Sequence, residues 1–269
     1  MHERLSIDQL CFLGDPIDEF VTAARSLGAR QVVLNSAGLL AGDGFDAAKR
    51  ALGDEGPRVE AVNHAFAVHP DLERDTGEAS DRLLRLVGMA AELGARSVYV
   101  LTGGRGGLSW DAAADRFAEL VTPGFEEARS RGIGMLIENA PSLYADIHIS
   151  HSLADTLALA ERSRLGICIE LQFCWADAGI DDLLRRALPR TGLVQVSDYV
   201  PGDRSLPGRA VPGDGTLPLE HLVRTLLAAG YEGVFDIELL GPRIEAEGHL
   251  AATRRAVEHM EAILAAAGL

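Results

Sequence analysis

Short apolar runs alternate with longer amphipathic runs along the whole chain. The short runs are rich in Val, Ile, Leu and Phe, and Gly or Pro punctuates the segments between them. This alternation is typical of strand-helix units arranged around a parallel sheet. The pattern predicts eight strands, in chain order over residues 6–13, 30–36, 58–68, 96–102, 134–140, 165–171, 193–199 and 233–240.

The longer runs carry apolar residues at intervals of three and four, the periodicity of a helix that packs one face against a core. They predict helices over residues 18–28, 45–53, 79–94, 110–132, 151–163, 181–189, 219–230 and 249–264. Several runs end in glycine, which readily adopts the left-handed conformation needed just past a helix end. These glycines are Gly28, Gly53, Gly94, Gly132 and Gly230.

Eight strands and eight helices, ending on a helix, favour a closed (β/α)8 barrel formed by residues 1–269 as one domain. A chain of 269 residues has the usual length of such a barrel. The alternative with the same element order is an open, doubly wound sheet. A barrel carries its active site in the loops that follow its strands, and two of these loops, 141–150 and 200–217, are long.

Composition excludes several classes of protein. The hydrophobic fraction of 47% and charged fraction of 24% indicate a soluble globular protein. The net charge of −15 would repel a phosphate backbone, so no nucleic-acid partner is predicted. No apolar run approaches ~18 residues and no signal peptide is recognised, so neither membrane spanning nor secretion is predicted. Cys11, Cys168 and Cys174 lack C-x-x-C spacing and are predicted to be buried, reduced thiols in a cytoplasmic protein.

Four consecutive predicted strands carry a polar residue near their carboxyl ends. An acidic side chain buried in a barrel strand is costly unless it is paired or bound to a metal. Three carboxylates in one small volume repel one another, and a divalent cation relieves that repulsion. Oxygen ligands favour the hard ions Mg²⁺ or Mn²⁺. The predicted metal ligands are Glu138, Glu170, Gln195 and Glu238.

The segments around these residues resemble the sugar isomerase/epimerase superfamily with the xylose-isomerase-like barrel. LIENA resembles the strand-five motif with its metal-binding Glu138, and ICIEL occupies the place of a strand-six motif that usually carries Asp, here Glu170. The most specific block begins at VQVSD and includes GRAVPGDG. VQVSD offers Gln195 where many relatives use His, as in the hydroxypyruvate isomerase branch. The motifs are also similar to those of the inosose dehydratase group.

The resemblance implies an isomerase or epimerase that acts on a hydroxy-carbonyl compound. In such relatives a divalent metal chelates two adjacent substrate oxygens, and two Glu residues move a proton through an enediolate intermediate. Glu138 and Glu238 would then be catalytic as well as metal-binding. Two other classes stay open: a lyase on the same scaffold, either a dehydratase or a keto-glycoside eliminase, and a non-catalytic ligand-binding barrel.

Four further residues are predicted to contact a small-molecule substrate such as a polyol, sugar or keto acid. Arg209 either binds a substrate carboxylate, phosphate or hydroxyl, or forms a loop salt bridge with Asp198 or Asp203. His64 either is a hydrogen-bonded residue of the pocket wall or binds substrate hydroxyls. Relatives commonly carry His where this chain has Phe173, and with the nearby Trp175 this indicates a drier pocket.

The remaining polar residues near the predicted site have structural interpretations. Asp236 is expected in a buried structural pairing one layer below Glu238. Asp198 is expected to orient other groups rather than to bind metal. His148 and His151 are expected to be exposed to solvent, with His151 or Ser152 near a helix start. Whether the protein forms a homo-oligomer stays open.

Overall fold

The computed structural model describes residues 1–69 and 71–269, and its eight strands form a closed parallel barrel in the order β1 to β8. This confirms the (β/α)8 fold and excludes the open, doubly wound sheet. The strands are β1 (Leu5–Asp8), β2 (Gln31–Asn35), β3 (Arg58–Ala65), β4 (Ser97–Leu101), β5 (Gly134–Glu138), β6 (Gly166–Glu170), β7 (Thr191–Val196) and β8 (Phe235–Ile237).

Eleven α-helices lie among the described residues, and eight of them match the predicted helices. Three short ones, α2, α7 and α10, were not predicted. The helices are α1 (Ile17–Ser26), α2 (Ser36–Leu40), α3 (Gly44–Leu52), α4 (Glu78–Glu92), α5 (Trp110–Ser130), α6 (Leu153–Ser163), α7 (Leu171–Cys174), α8 (Ile180–Ala187), α9 (Leu219–Ala228), α10 (Pro242–Glu247) and α11 (His249–Ala266).

The first predicted strand, over residues 6–13, is correct only in its first half. It ends at Asp8, and Gln9–Phe12 form a 3-10 helix instead. The Asp8 carboxylate accepts a hydrogen bond of 2.7 Å from the Leu10 backbone N–H and so caps this helix. A carboxylate that caps the next turn ends a strand even where the following residues remain apolar.

One compact unit of the chain comprises Met1–Glu60 and Leu193–Leu269. In it, β1 pairs in parallel with β2 and β8, and β8 pairs with β7. The register aligns Asp236 with Ser6 on one side and with Gln195 on the other. Three polar residues therefore lie side by side on three neighbouring strands.

The other compact unit is Ala61–Gly192. Here β4 pairs in parallel with β3 and β5, and β5 pairs with β6. A Cβ atom at Gly124 of α5 would lie 2.3 Å from Leu83 Cδ2 of α4, so glycine is required for the close packing of these two helices.

Two predictions of local structure are confirmed. Each of the five glycines predicted to follow a helix has a positive φ, between 54° and 99°. All three cysteines are buried free thiols. None of the helices in the described part of the chain has the length and apolar content that a membrane crossing requires.

Candidate functional site

The acidic residues predicted as metal ligands lie where strands end. Glu138 is the last residue of β5, Glu170 is the last residue of β6, and Glu238 directly follows β8. All three side chains are buried, with at most 4% of their surface exposed. The carboxyl ends of parallel strands are where barrels of this class carry their catalytic groups.

In the unit Ala61–Gly192, Asn139 ties the end of β5 to the end of β6. Its amide Nδ2 donates to the Glu170 carbonyl oxygen, and its Oδ1 accepts from the Glu170 N–H, both at 2.9 Å. The Glu170 Oε1 atom accepts from the Gln172 N–H at 2.8 Å and so caps α7. Asn139 is a positioning residue that the sequence analysis missed, although it directly follows Glu138.

Replacing Asn139 by Ala is expected to lower the free energy of unfolding by ~1–3 kcal/mol. The change leaves the buried N–H and carbonyl of Glu170 without these partners, and an unpaired buried polar group costs about that much. Urea unfolding in the presence of a chelator measures this loss without any contribution from metal. Unchanged stability would contradict the positioning role.

The expectation that His148 is exposed is wrong. The ring is fully buried; its Nε2 donates to the Glu138 carbonyl at 2.8 Å, and its Nδ1 accepts from the Thr102 N–H at 3.0 Å. Burial lowers the pKa of His148 to about 3, so the ring is neutral at pH 7. A neutral imidazole can donate at one nitrogen and accept at the other, which links the ends of β4 and β5. Ser152 caps α6, so the predicted helix start is confirmed.

In the unit that contains Leu193–Leu269, Glu238 is held by two side chains. Arg209 Nη2 lies 2.6 Å from Glu238 Oε1, and both side chains are buried. Gln195 Nε2 donates to Glu238 Oε2, so metal ligation by Gln195 would use its other amide atom, Oε1. Arg209 also donates to Ser197 Oγ at 3.2 Å. The charge-assisted bond to Arg209 favours the ionised form of Glu238.

The alternative partners predicted for Arg209 are wrong. Asp203 pairs with Arg243 at 2.8 Å. The Asp198 carboxylate instead accepts from backbone N–H groups of its own loop, including those of Gly213 and Gly215 at 3.0 Å. Asp198 and Asp203 are closer to Arg209 along the chain than Glu238 is. Only the folded chain therefore shows which carboxylate pairs with the Arg209 guanidinium.

The buried structural role predicted for Asp236 is confirmed. Ser6 Oγ donates to its Oδ1 at 2.6 Å, and Gln195 Nε2 donates to its Oδ2 at 3.4 Å. Burial, together with the nearby Asp8 carboxylate, raises the pKa of Asp236 well above its usual range. Carboxylate oxygens of Asp8, Asp236 and Glu238 lie within 4.8 Å of one another. Asp8 was missed because only the later strands were searched for strand-end acids.

His64 lies in β3 and is fully buried. Burial, and secondly the positive charge of Arg82, lower the pKa of His64 to about 3. The imidazole is therefore neutral at physiological pH and could bind a substrate only as a neutral hydrogen-bonding group. Its contact with substrate stays a prediction.

A His64→Gln variant is expected to show a weaker loss of stability on acidification. The unfolded chain binds a proton at this His below about pH 6.5, whereas the folded protein does not until about pH 3. The contribution of His64 to the free energy of unfolding is therefore fully present above about pH 6.5. It falls by ~1.4 kcal/mol for each pH unit below about 6.5. Urea unfolding between pH 7 and pH 5 measures the two slopes. Parallel slopes would show that His64 titrates normally.

The described acids include a group with the donor chemistry of a metal site. In the unit Ala61–Gly192, the buried carboxylates of Glu138 and Glu170 end neighbouring parallel strands. Two buried like charges on neighbouring strands repel each other. A divalent cation would balance both charges. Buried oxygen donors of this kind fit a hard divalent ion.

A closed (β/α)8 barrel with acidic residues at its strand ends defines a class of enzyme scaffolds. This chain belongs to the xylose isomerase-like TIM barrel family, whose model matches residues 14–263. A protein of Streptomyces coelicolor that carries a provisional assignment as a hydroxypyruvate isomerase is 28% identical over 213 residues. The match covers 72% of this chain and 73% of that protein.

Solved structures share the fold over nearly the whole chain. A Sinorhizobium meliloti protein superposes with a TM-score of 0.86 at 24% identity, covering 97% of this chain and 98% of that one. The IolI protein, described with a bound zinc atom, has a TM-score of 0.80 at 13% identity, with 97% of both chains covered. An L-ribulose 3-epimerase and a protein described as a probable 3-DHS dehydratase also share the fold, with TM-scores of 0.79 and 0.75.

Proposed function

We propose that this protein is a divalent-metal-dependent isomerase or epimerase that acts on a sugar-like hydroxy-carbonyl compound. The buried strand-end carboxylates of Glu138, Glu170 and Glu238 carry the proposal, because a buried carboxylate calls for a cation that balances its charge. The relative assigned as a hydroxypyruvate isomerase and the L-ribulose 3-epimerase of the same fold support the reaction class. We further propose that residues 1–269 act as one domain and that the protein is cytoplasmic.

We propose Glu138, Glu170, Gln195 and Glu238 as the ligands of one Mg²⁺ or Mn²⁺. When bound, such a cation polarises a substrate carbonyl and acidifies the neighbouring C–H group. The zinc atom of the IolI protein makes Zn²⁺ the natural third ion to compare in any titration. Asn139 and His148 would hold the ligands Glu170 and Glu138 through the backbone contacts described above.

Glu138 and Glu238 are proposed as the pair that moves the substrate proton. The Arg209 contact favours the ionised form of Glu238, which is the form that can accept a proton. Once a substrate is bound, its carboxylate, phosphate or hydroxyl group would compete with Glu238 for the Arg209 guanidinium.

Replacing Arg209 by Ala is expected to raise KM more than it lowers kcat if Arg209 mainly anchors substrate. Arg243→Ala is the matched control, because it removes an ion pair of the neighbouring loop without touching Glu238. If Arg209→Ala lowers kcat as much as a Glu238 variant does and leaves KM unchanged, Arg209 acts through Glu238 and does not anchor the substrate.

The reaction class is tested with a metal-supplemented screen of ketoses, keto acids, inososes and keto-glycosides in D₂O. An isomerase or epimerase gives a product with the same elemental composition as the substrate. Solvent deuterium replaces hydrogen wherever the abstracted proton exchanges before its return. The second candidate, a lyase, is favoured by the dehydratase of the same fold and gives a product lighter by its leaving group. Metal binding without turnover of any compound would favour the non-catalytic barrel.

A further inference from the structure

Three partly exposed aromatic side chains follow the strands that carry Glu138 and Glu170. Tyr144 lies in the loop after β5, and Phe173 and Trp175 lie in and just after α7. Tyr144 and Phe173 form an edge-on pair, with ring centroids 6.0 Å apart. We call these three residues the aromatic wall.

The aromatic wall is built directly onto Glu170. The Glu170 side chain caps α7, and Phe173 is the third residue of that helix. The capping bond fixes the start of this one-turn helix, so the position of Phe173 is set by the same short segment that holds the Glu170 carboxylate. The Tyr144 contact extends this apolar surface back towards the end of β5.

Exposed aliphatic residues lie in the loops after β3 and β5. Val68, Leu143 and Ile147 are between 42% and 71% exposed, and they are the large exposed hydrophobic residues among the described part of Ala61–Gly192. All three follow the carboxyl end of a strand, whereas residues exposed at random would occur at both ends of the strands.

The loops that carry these aliphatic residues touch one another. The Gly103 N–H donates to the Ile147 carbonyl at 2.9 Å, and a Cβ at Gly103 would lie 2.3 Å from the Ala67 Cβ. The segments after β3, β4 and β5 are therefore in contact, and Val68 and Ile147 lie in the first and the last of them. Contiguous exposed apolar surface marks a binding site more often than single exposed residues do.

We propose that the aromatic wall binds an aromatic ring that the substrate carries next to its hydroxy-carbonyl unit. The inference rests on the proposed function, because Glu170 is one of the proposed metal ligands. A sugar would place only its C–H groups against the faces of these rings, because a ring face offers no strong hydrogen-bond partner to a hydroxyl group. A flat ring instead gains offset or edge-on contacts with Tyr144 and Phe173.

Two hydroxamic acids test the proposal with the Mn²⁺-loaded protein. Acetohydroxamate and benzohydroxamate present the same pair of metal-chelating oxygens, and only benzohydroxamate carries a ring. Isothermal titration is expected to give benzohydroxamate an affinity about tenfold higher than that of acetohydroxamate. In Phe173→Ala this ratio is expected to fall to between one and about two, whereas the acetohydroxamate affinity is expected to stay unchanged.

The matched control is Phe125→Ala. Phe125 is a partly exposed aromatic residue of α5 in contact with Arg164, outside the aromatic wall. The affinity ratio of this variant is expected to equal that of the wild type. A second measurement uses Trp110→Phe, which leaves Trp175 as the single tryptophan, since the chain contains two. Benzohydroxamate is expected to change the emission of Trp175, and acetohydroxamate is not.

The outcomes separate the two proposals. If both hydroxamates bind equally to wild type and to Phe173→Ala, aromatic recognition is overturned and the metal site stands. If neither hydroxamate binds, the metal-dependent function fails and this inference fails with it. If Phe173→Ala instead changes the solution mass of the protein without changing the affinity ratio, the aromatic wall is a contact between copies, and substrate recognition by it is overturned.

Discussion

Turnover is expected to fall by about 10²–10⁴-fold when either Glu138 or Glu238 is replaced by Gln. The amide keeps an oxygen that can bind a metal but cannot accept the substrate proton, and a positioned acid or base contributes rate enhancement of that size. Steady-state kinetics on the substrate found in the screen measure the loss. Titration with Mn²⁺ should show that each variant still binds the ion.

Glu60→Gln provides the matched control for these two variants. Glu60 is also a buried glutamate of a barrel strand, in β3, and is not one of the proposed metal ligands. Its variant should keep turnover within a few-fold of the wild type, so that a collapse at Glu138 or Glu238 can be assigned to chemistry. A fully active Glu238→Gln enzyme would disprove the proton-transfer role of that residue.

Removing divalent metal is expected to abolish turnover and to lower stability. Binding only to the folded protein adds ~2.7 kcal/mol to the free energy of unfolding at an ion concentration one hundred times the dissociation constant. Unfolding curves recorded with EDTA, and then with added Mg²⁺, Mn²⁺ or Zn²⁺, measure this gain. Activity should return with the ion that stabilises most.

Glu170→Ala separates specific binding from a general salt effect. The change removes one proposed metal ligand and also the cap of α7, so the variant is expected to be less stable even with EDTA present. The decisive quantity is the further shift on adding Mn²⁺, which should disappear in this variant. An equal Mn²⁺ shift in both proteins would place the ion elsewhere.

The fold was predictable because its signals are local and repeated. Each strand is short and contains Val or Ile, each main helix has an apolar stripe, and glycines stop several helices. The short helices α2, α7 and α10 were not predicted, because a helix of four to six residues is too short to show a periodicity. At Asn35 and Glu170 a capping side chain, rather than a periodic pattern, starts the helix.

The acids of the candidate site were also predictable, since a carboxylate at the end of an apolar strand violates the usual pattern wherever it occurs. The same signal was present at Asp8, at the end of β1, and was overlooked there. His148 carried no such signal. It lies in a loop, and only its contacts with Thr102 and Glu138 account for its burial.

The sequence by itself determined the order of strands and helices and the placement of acids at strand ends, because both depend on short-range patterns of apolar and charged residues. Only the tertiary structure decided which charged side chains form ion pairs. Arg209 is 29 residues from Glu238, and nearer acids were available to it, yet the fold brings it to 2.6 Å from that carboxylate. Partner choice depends on distances through space, which the closure of the barrel sets and which spacing along the chain does not encode.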